Sequence, residues 1–423
     1  MKKALIITYY WPPAGGPGVQ RWLNFVKYLR DFEVEPVVYV PENPEYPITD
    51  STFEDEIPEG IKIYKQKIFE PYQLASIFSK KKTKRISSGI IQTKDQSLLE
   101  KVLLWIRGNL FIPDARKFWV KPSVRYLQQV IDEEGIETII TTGPPHSVHL
   151  IGMELKANNN IQWIADFRDP WTSIGYHKKL KLTKRSQKRH LQLESEVLNQ
   201  ADSIITTSNT TKKEFSNITE QPITVITNGF DTLKVSSQKL DDAYTISHIG
   251  SMLSGRNPIV LWQALKELTE ENADFKKNLV LELIGVVSKD VLESIHSHEL
   301  EPYVRMEGYV SHEKAIERQQ RSQVLLLVEI DSEETKGIIP GKFFEYIAAD
   351  RPILGVGPEG WEVAQMIAET HTGRAFNFME AQAIKAQLLE WFISYQKKEL
   401  YVKSRHIEQY SRRELTRKLA QLI

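Results

Sequence analysis

Lys342 and Glu345 stand three residues apart in the stretch Gly341-Lys342-Phe343-Phe344-Glu345-Tyr346. On a helix, that spacing puts an ammonium and a carboxylate on one face of the first turn. Pro340 and Gly341 suit a helix start, where a missing donor does no harm and a free backbone helps. Phe344, Ile347 and Ala348 fall at helical spacing and mark a buried face. Asp350 before Arg351-Pro352 ends the element, because Asp tolerates the left-handed conformation and Pro stops continuation. A helix start that carries a lysine attracts anions, since its backbone N–H groups and the cation act together. A carboxylate beside it would accept a hydroxyl. A phosphate joined to a ribose, and so a nucleotide, would satisfy both groups. A surface ion pair on an ordinary helix fits the spacing equally well.

Other groups able to do chemistry follow apolar runs that read as strands. The run Ala4 to Tyr9 leads into Gly15, Gly16 and Gly18, and then into a helix whose apolar face is Val19, Trp22, Leu23, Val26 and Leu29. Strand, glycine-rich loop and helix is the layout of a ligand-facing turn in an α/β sheet. It is not the dinucleotide fingerprint, because Arg21 stands where close helix packing needs a third glycine, and no Gly-Lys-Ser/Thr follows to make a Walker loop. Gly143-Pro144-Pro145-His146 follows a strand over 138–142, and Asp166, Arg168 and Asp169 follow one over 161–165. Open α/β sheets place functional groups at such carboxyl ends. Asn228 follows a strand over 223–226, and Gly250 one over 245–249, with Arg256 at the start of the next helix. The competing reading of the Gly15–Gly18 loop is a tight strand-to-helix turn, and that of His146 an ordinary turn histidine.

The elements that must position these groups form two successive β/α units. Each predicts a parallel sheet covered by helices, with right-handed connections. Residues 234–242 are polar and read as a linker. The segment 41–97 is polar and interrupted and holds the basic run Lys80 to Arg85. Residues 98–110 predict an amphipathic helix, 178–199 a basic helix, and 380–423 a largely helical end.

Composition bounds the function. The 423 residues suggest two or three domains, with 41% apolar and 26% charged residues as in ordinary globular material. Formal net charge is zero, which gives no pull toward nucleic acid. There are no cysteines, so disulfides, cysteine zinc sites and thiol catalysis are excluded, and a reducing cytoplasm is expected. The start turns polar too soon for a signal peptide, and no apolar run of about 18 residues predicts a spanning helix. No Asp-x-Asp pair occurs near Asp166 and Asp169, and no metal site is expected.

Taken in order, Tyr9-Tyr10-Trp11-Pro12-Pro13, Gly15 to Gly18, Thr142 to Ser147, Asp166 to Trp171, Asn228 to Asp231, Gly250 with Arg256, and Lys342 to Ala349 resemble retaining glycosyltransferases of family four. The resemblance covers nearly the whole chain. It implies the GT-B fold, with two Rossmann-like domains facing across a cleft. Residues 1–235 would form the acceptor-side domain and 243–395 the nucleotide-sugar domain, while 396–423 would pack back on the first. It implies that Glu345 holds the ribose, that Arg256 and Lys342 with Gly250 and Gly341 neutralise the donor diphosphate, and that Gly15, Gly16 and Gly18 close over donor and acceptor. His146 resembles the family's active-site histidine, and Asp166, Arg168, Asp169 and Asn228 would line the cleft.

The chain also departs from the family pattern. Gly337 stands where the first glutamate of the family's pair would fall, with Glu333 and Glu334 as the nearest replacements. Ser251 and Met252 follow Gly250 where an arginine is common.

The implied reaction is front-side transfer of a sugar from a nucleotide-diphosphate sugar to a glycan or lipid-linked acceptor, in cell-surface polysaccharide or glycolipid synthesis. The departing phosphate takes the acceptor's proton, and no cofactor or metal is involved. The expected location is the cytoplasm. The basic stretches at 80–85 and 178–190, with Trp105, Phe111, Phe118 and Trp119, suit peripheral contact with an anionic inner membrane face, and a solvated face explains them as well. Two rival readings are a catalytically silent GT-B scaffold, motivated by Gly337, and a nucleotide-sugar epimerase, which the few cleft carboxylates support little.

Overall fold

The computed structural model describes residues 1–70, 98–178, 180–231 and 239–423. The basic run at 80–85 and most of the polar stretch 234–242 lie outside the described residues. The chain divides into two compact units, Met1–Thr227 with Arg412–Ile423, and Asn228–Ser411.

Among the described residues the first unit holds seven strands: β1 (Lys2–Thr8), β2 (Val34–Pro41), β3 (Lys62–Gln66), β4 (Thr138–Gly143), β5 (Gln162–Phe167), β6 (Ser203–Thr206) and β7 (Ile223–Val225). Their order is β3-β2-β1-β4-β5-β6-β7, and every pairing is parallel. β1 alternates Leu5 and Ile7 into one apolar cluster with Ala4 and Ile6 into another, so both sheet faces are covered. The order reverses between β1 and β4. Loops leaving the carboxyl ends of such a pair are where ligands gather.

The helix Pro17–Leu29 buries Val19, Trp22, Leu23, Val26 and Leu29, the face its spacing predicts. Leu415 and Leu419 of the helix Arg412–Ala420, with Ile423, join the same cluster. Lys2 Nζ donates to Ile423 O at 2.9 Å and Gln162 Nε2 to Leu422 O at 2.9 Å, which fastens the chain end to the sheet.

β3 corrects the reading of 41–97 as an interrupted polar segment. It is a half-exposed edge strand, Lys-Ile-Tyr-Lys-Gln, whose partner is the backbone of β2. An edge strand needs no apolar run, so hydropathy gave no signal there. Lys62 and Tyr64 bond the Glu134 carboxylate at 2.7 and 2.6 Å. Those bonds hold that acid down at about 2.

The second unit holds β8 (Tyr244–Ile249), β9 (Leu279–Ile284), β10 (Val304–Glu307), β11 (Val324–Val328), β12 (Ile353–Val356) and β13 (Gly373–Phe376). The order is β10-β9-β8-β11-β12-β13, again all parallel. The side chains of β11 alternate between the two clusters of this unit, Val324, Leu326 and Val328 against Leu325 and Leu327. Each such fully buried aliphatic contributes roughly 1.5–3 kcal/mol of transfer free energy. The reversal falls between β8 and β11, so the ends of these two strands, at Gly250 and Glu329, are neighbours. Among the described residues, no helix is long and apolar enough to cross a membrane.

Candidate functional site

In the second unit β8 ends at Ile249, and the chain turns at Gly250 with φ 118°. A Cβ there would lie 2.6 Å from Lys342 Nζ and 3.1 Å from Cε. Glycine is therefore required for the backbone conformation, and any Cβ would also push the lysine end aside. Lys342 is the second residue of the helix Gly341–Ala348, which no side chain caps. Phe343 N donates to Pro340 O at 3.0 Å, and the N–H groups of Gly341 and Lys342 before it face outward as an anion would need. Tyr346 ties this helix to β8, since its hydroxyl accepts from Ile249 N at 2.9 Å.

Arg256 reaches the same end of the sheet from the loop after Gly250. Trp262 Nε1 donates to Asn257 Oδ1 at 2.8 Å, and Asn257 Nδ2 to Ser294 Oγ at 2.7 Å, which holds the loop. The Arg256 guanidinium pairs side-on with Glu329, Nε at 3.1 Å and Nη2 at 3.2 Å. Glu329 is fully enclosed and also accepts from Ile330 N at 2.8 Å. Side-on pairing leaves Nη1 directed away from the carboxylate. Glu345 is half-buried, accepts from Gln319 Nε2 at 2.9 Å, and lies 4.0 Å from His312 Nδ1. Burial brings the Lys342 ammonium down to about 8, Arg256 pushes it the same way, and Glu329 and Glu345 oppose them.

Gly250, Arg256, Gly341, Lys342 and Glu345, read separately along the sequence, therefore lie on one loop, one helix start and the strand ends between them. Glu329, His248, Gln319 and Tyr346 were missed. Glu329 had a legible signal, a lone carboxylate closing the apolar run of β11 at its carboxyl end. Glu333 is exposed and pairs with Lys336 at 2.6 Å.

In the first unit Asp166 is fully enclosed at the end of β5. Its carboxylate accepts from Arg21 at 2.9 Å, Trp22 Nε1 at 2.8 Å and Thr142 Oγ1 at 2.8 Å. Arg21 also donates to Thr227 O at 2.7 Å. The arginine that breaks the dinucleotide fingerprint is thus one half of a buried ion pair joining helix, sheet and chain crossover. Removing one partner of such a pair costs roughly 3–5 kcal/mol.

Arg168 Nε donates to Gly143 O at 3.1 Å, Nη2 bonds Pro144 O, and the guanidinium lies 5.7 Å from the Tyr10 ring centroid. A Cβ at Gly18 would collide with that guanidinium. Burial raises the Asp169 carboxyl, and Arg168 offsets part of this. Gly15 N donates to Ile48 O at 3.0 Å, and Gly16, with φ 104°, precedes the helix. Asn228 opens the second unit, directly after the Thr227 carbonyl that Arg21 holds.

His146 precedes the helix Ser147–Asn158 and stacks on Trp171, 4.9 Å between centroids and 2° between planes. It is 5% exposed, and neither ring nitrogen has a partner among the described residues. Burial, with His149, His177, Arg168 and His190 around it, drives its pKa well below the usual histidine value. The ring is therefore neutral, with one donor and one acceptor unused. Among the described residues, no cluster of three or more His, Cys, Asp or Glu could hold a metal ion.

Residues 90–234 match the model of Glycosyltransferase Family 4. Residues 90–234 are thus similar to family 4 glycosyltransferases. No curated protein sequence matches the chain. Among solved structures, a glycosyltransferase from Rickettsia africae is 12% identical with a TM-score of 0.61, covering 100% of this chain and 97% of its own. TarM of S. aureus, solved as a mutant with fondaparinux, a GlcNAc-glycerol and UDP, is 13% identical at 0.56, with 100% and 99% covered. The lipopolysaccharide outer core galactosyltransferase WaaB is 14% identical at 0.58, with 100% and 99% covered. At these identities the likeness is one of fold: two Rossmann-like parallel-sheet units of the GT-B glycosyltransferases.

Proposed function

We propose that this glycosyltransferase moves a sugar from a nucleoside-diphosphate sugar to a glycan or lipid-linked acceptor, with retention of configuration and without a metal. The observation that carries the reading is Lys342 lying over Gly250 at an uncapped helix start, with Arg256 near enough to depress its ammonium and Glu345 three residues further on. Transfer leaves negative charge on the departing diphosphate. Two cations and a set of helix N–H groups stabilise it, each such donor being worth about 10²–10³ in rate. Glu345 takes the ribose hydroxyls. The departing phosphate accepts the acceptor's proton, so no separate base is needed. His146, neutral and with unused ring nitrogens, orients a sugar hydroxyl.

A lipid-linked acceptor is supported by an exposed apolar face in the first unit: Val102, Trp105 and Leu110 of the helix Leu98–Leu110, with Phe69 and Phe118. The Lys117 ammonium lies 5.3 Å from the Phe118 ring centroid and 5.6 Å from that of Phe111. Basic and aromatic groups together suit the surface of an anionic bilayer, and salt-sensitive co-sedimentation with anionic vesicles is the matching measurement.

The deciding experiment is a thermal-shift screen with UDP-, GDP- and ADP-sugars, followed by assay of donor hydrolysis or transfer. Binding to the native state raises stability by about 2.7 kcal/mol at a hundredfold excess over Kd. One donor class should raise the melting temperature and be consumed. A screen in which no nucleotide binds overturns the reading.

A further inference from the structure

Lys342 reaches its position through a neighbour that no motif announces. His248 is the penultimate residue of β8 and is 1% exposed. Its Nδ1 lies 3.0 Å from Leu326 O on β11. A carbonyl only accepts, so a ring proton on Nδ1 satisfies Leu326 O and leaves Nε2 a lone pair toward Lys342, while the Ser251 backbone also accepts from the ring. Lys342 Nζ lies 3.2 Å from that lone pair. The strand pairing of β8 with β11 thus favours one tautomer, that tautomer makes an acceptor, and the acceptor holds the ammonium over Gly250, where a Cβ would push it aside.

On the reading of this site as a diphosphate clamp, we propose that His248 is a positioning residue for Lys342, and that capture of the nucleoside diphosphate is coupled to proton uptake at that lysine. The groups facing the ammonium are His248 from β8, Arg256 from the following loop, Glu329 from the end of β11, and Glu345 from its own helix. Arg256 is already paired with Glu329. The ammonium has instead a neutral partner, and the lysine is partly buried. Empty, the lysine is poised to lose its proton near pH 8. A diphosphate beside it supplies two or more negative charges and restores the ammonium. Burial first, then Lys342 and Arg256, oppose a charge on the His248 ring and outweigh the Leu326 and Ser251 backbone bonds that favour one, so its pKa lies well below the usual histidine value. The two cations therefore differ in kind. Arg256 is a fixed charge with its own counter-ion, and Lys342 is a charge completed by the ligand.

Calorimetry with the nucleoside diphosphate of the donor identified by the screen tests this on the whole protein. Working at pH 8 keeps the terminal phosphate fully ionised, since its last proton leaves near pH 6. Titrations in buffers of different ionisation heat count the protons exchanged. The wild type should take up a substantial fraction of one proton, and affinity should fall as pH rises through about 8.

His248→Leu removes the acceptor. It should weaken diphosphate binding by about tenfold at pH 7.5, the worth of one charge-assisted bond, and move the fall in affinity to lower pH. Binding of the bare nucleoside should not change. His248→Gln offers an amide oxygen near the place of Nε2 and should recover most of the loss, which a merely structural role for the imidazole would not predict. If His248→Leu does not fold, the wild-type proton count still decides. Diphosphate binding by the wild type with no proton uptake at pH 8 overturns the proposal, as do identical pH profiles in wild type and variants. Absence of any nucleotide binding by folded wild type would instead count against the clamp itself.

Discussion

Replacing Arg256 by Ala tests the clamp where two effects must be separated. The guanidinium would contact the donor diphosphate, and it also balances Glu329, which is fully enclosed. Losing charge-assisted bonds to phosphate costs about 1.5–3 kcal/mol, or roughly a 10- to 150-fold weaker Kd for a nucleoside diphosphate. The nucleoside alone should bind as before. Stability should also fall, because a buried carboxylate is left with one backbone donor, from Ile330. Breaking a buried pair costs about 3–5 kcal/mol. The Arg256 side chain is 30% exposed, so water screens the pair and the lower end applies. The double variant Arg256→Ala, Glu329→Gln separates the two effects. Removing the orphaned charge should restore much of the stability in urea unfolding, while diphosphate affinity stays low in calorimetry. If the double variant recovers wild-type diphosphate affinity, Arg256 supports only the fold. If nucleoside and diphosphate affinities fall together in the single variant, its phosphate role is refuted.

Two further outcomes are expected. His146→Ala should lower turnover by one to several orders of magnitude while calorimetric donor affinity changes little, and loss of donor binding in step with turnover would remove it from the chemistry. Acid should destabilise the first unit through its buried neutral histidines. Burial lowers His149 to about 3 and His177 to about 4. The unfolded chain takes up these protons first, so stability is full above about pH 6.5 and declines as pH falls toward those values. Each fully buried histidine adds a slope of about 1.4 kcal/mol per pH unit in that window. Urea midpoints measured from pH 7 to 4.5 should show it, and His149→Gln should flatten it. A flat profile in the wild type would show that the histidines are not held neutral by the fold.

Much of the fold was legible because parallel strands buried on both faces read as continuous apolar runs. Val324 to Val328 and Thr138 to Thr142 announce themselves in this way, and the periodic face of Pro17–Leu29 did too. β3 was not legible, since an edge strand of Lys, Ile, Tyr, Lys and Gln is specified by its neighbour's backbone rather than by its own hydropathy. Lys342, Glu345, Gly250 and Arg256 were each nameable from local spacing, because helix starts and strand-ending glycines leave local marks.

Their partners were another matter. Nothing within a few residues of His248 says that a carbonyl 78 positions away sets its tautomer, or that Lys342, 94 positions away, uses its lone pair. Glu329 and Arg256 are likewise 73 positions apart. Arg21 looked like a defect in a glycine motif until Asp166, 145 residues on, appeared as its buried counter-ion. The sequence by itself determined which groups could bind a nucleotide and on which kinds of element they sit, because propensity, capping and hydropathy act over short range. Only the tertiary structure decided which charge meets which, how deeply each is buried, and so which lysine can gain a proton. Coulomb energies and desolvation depend on distance in space, and the pairing of β8 with β11 sets those distances.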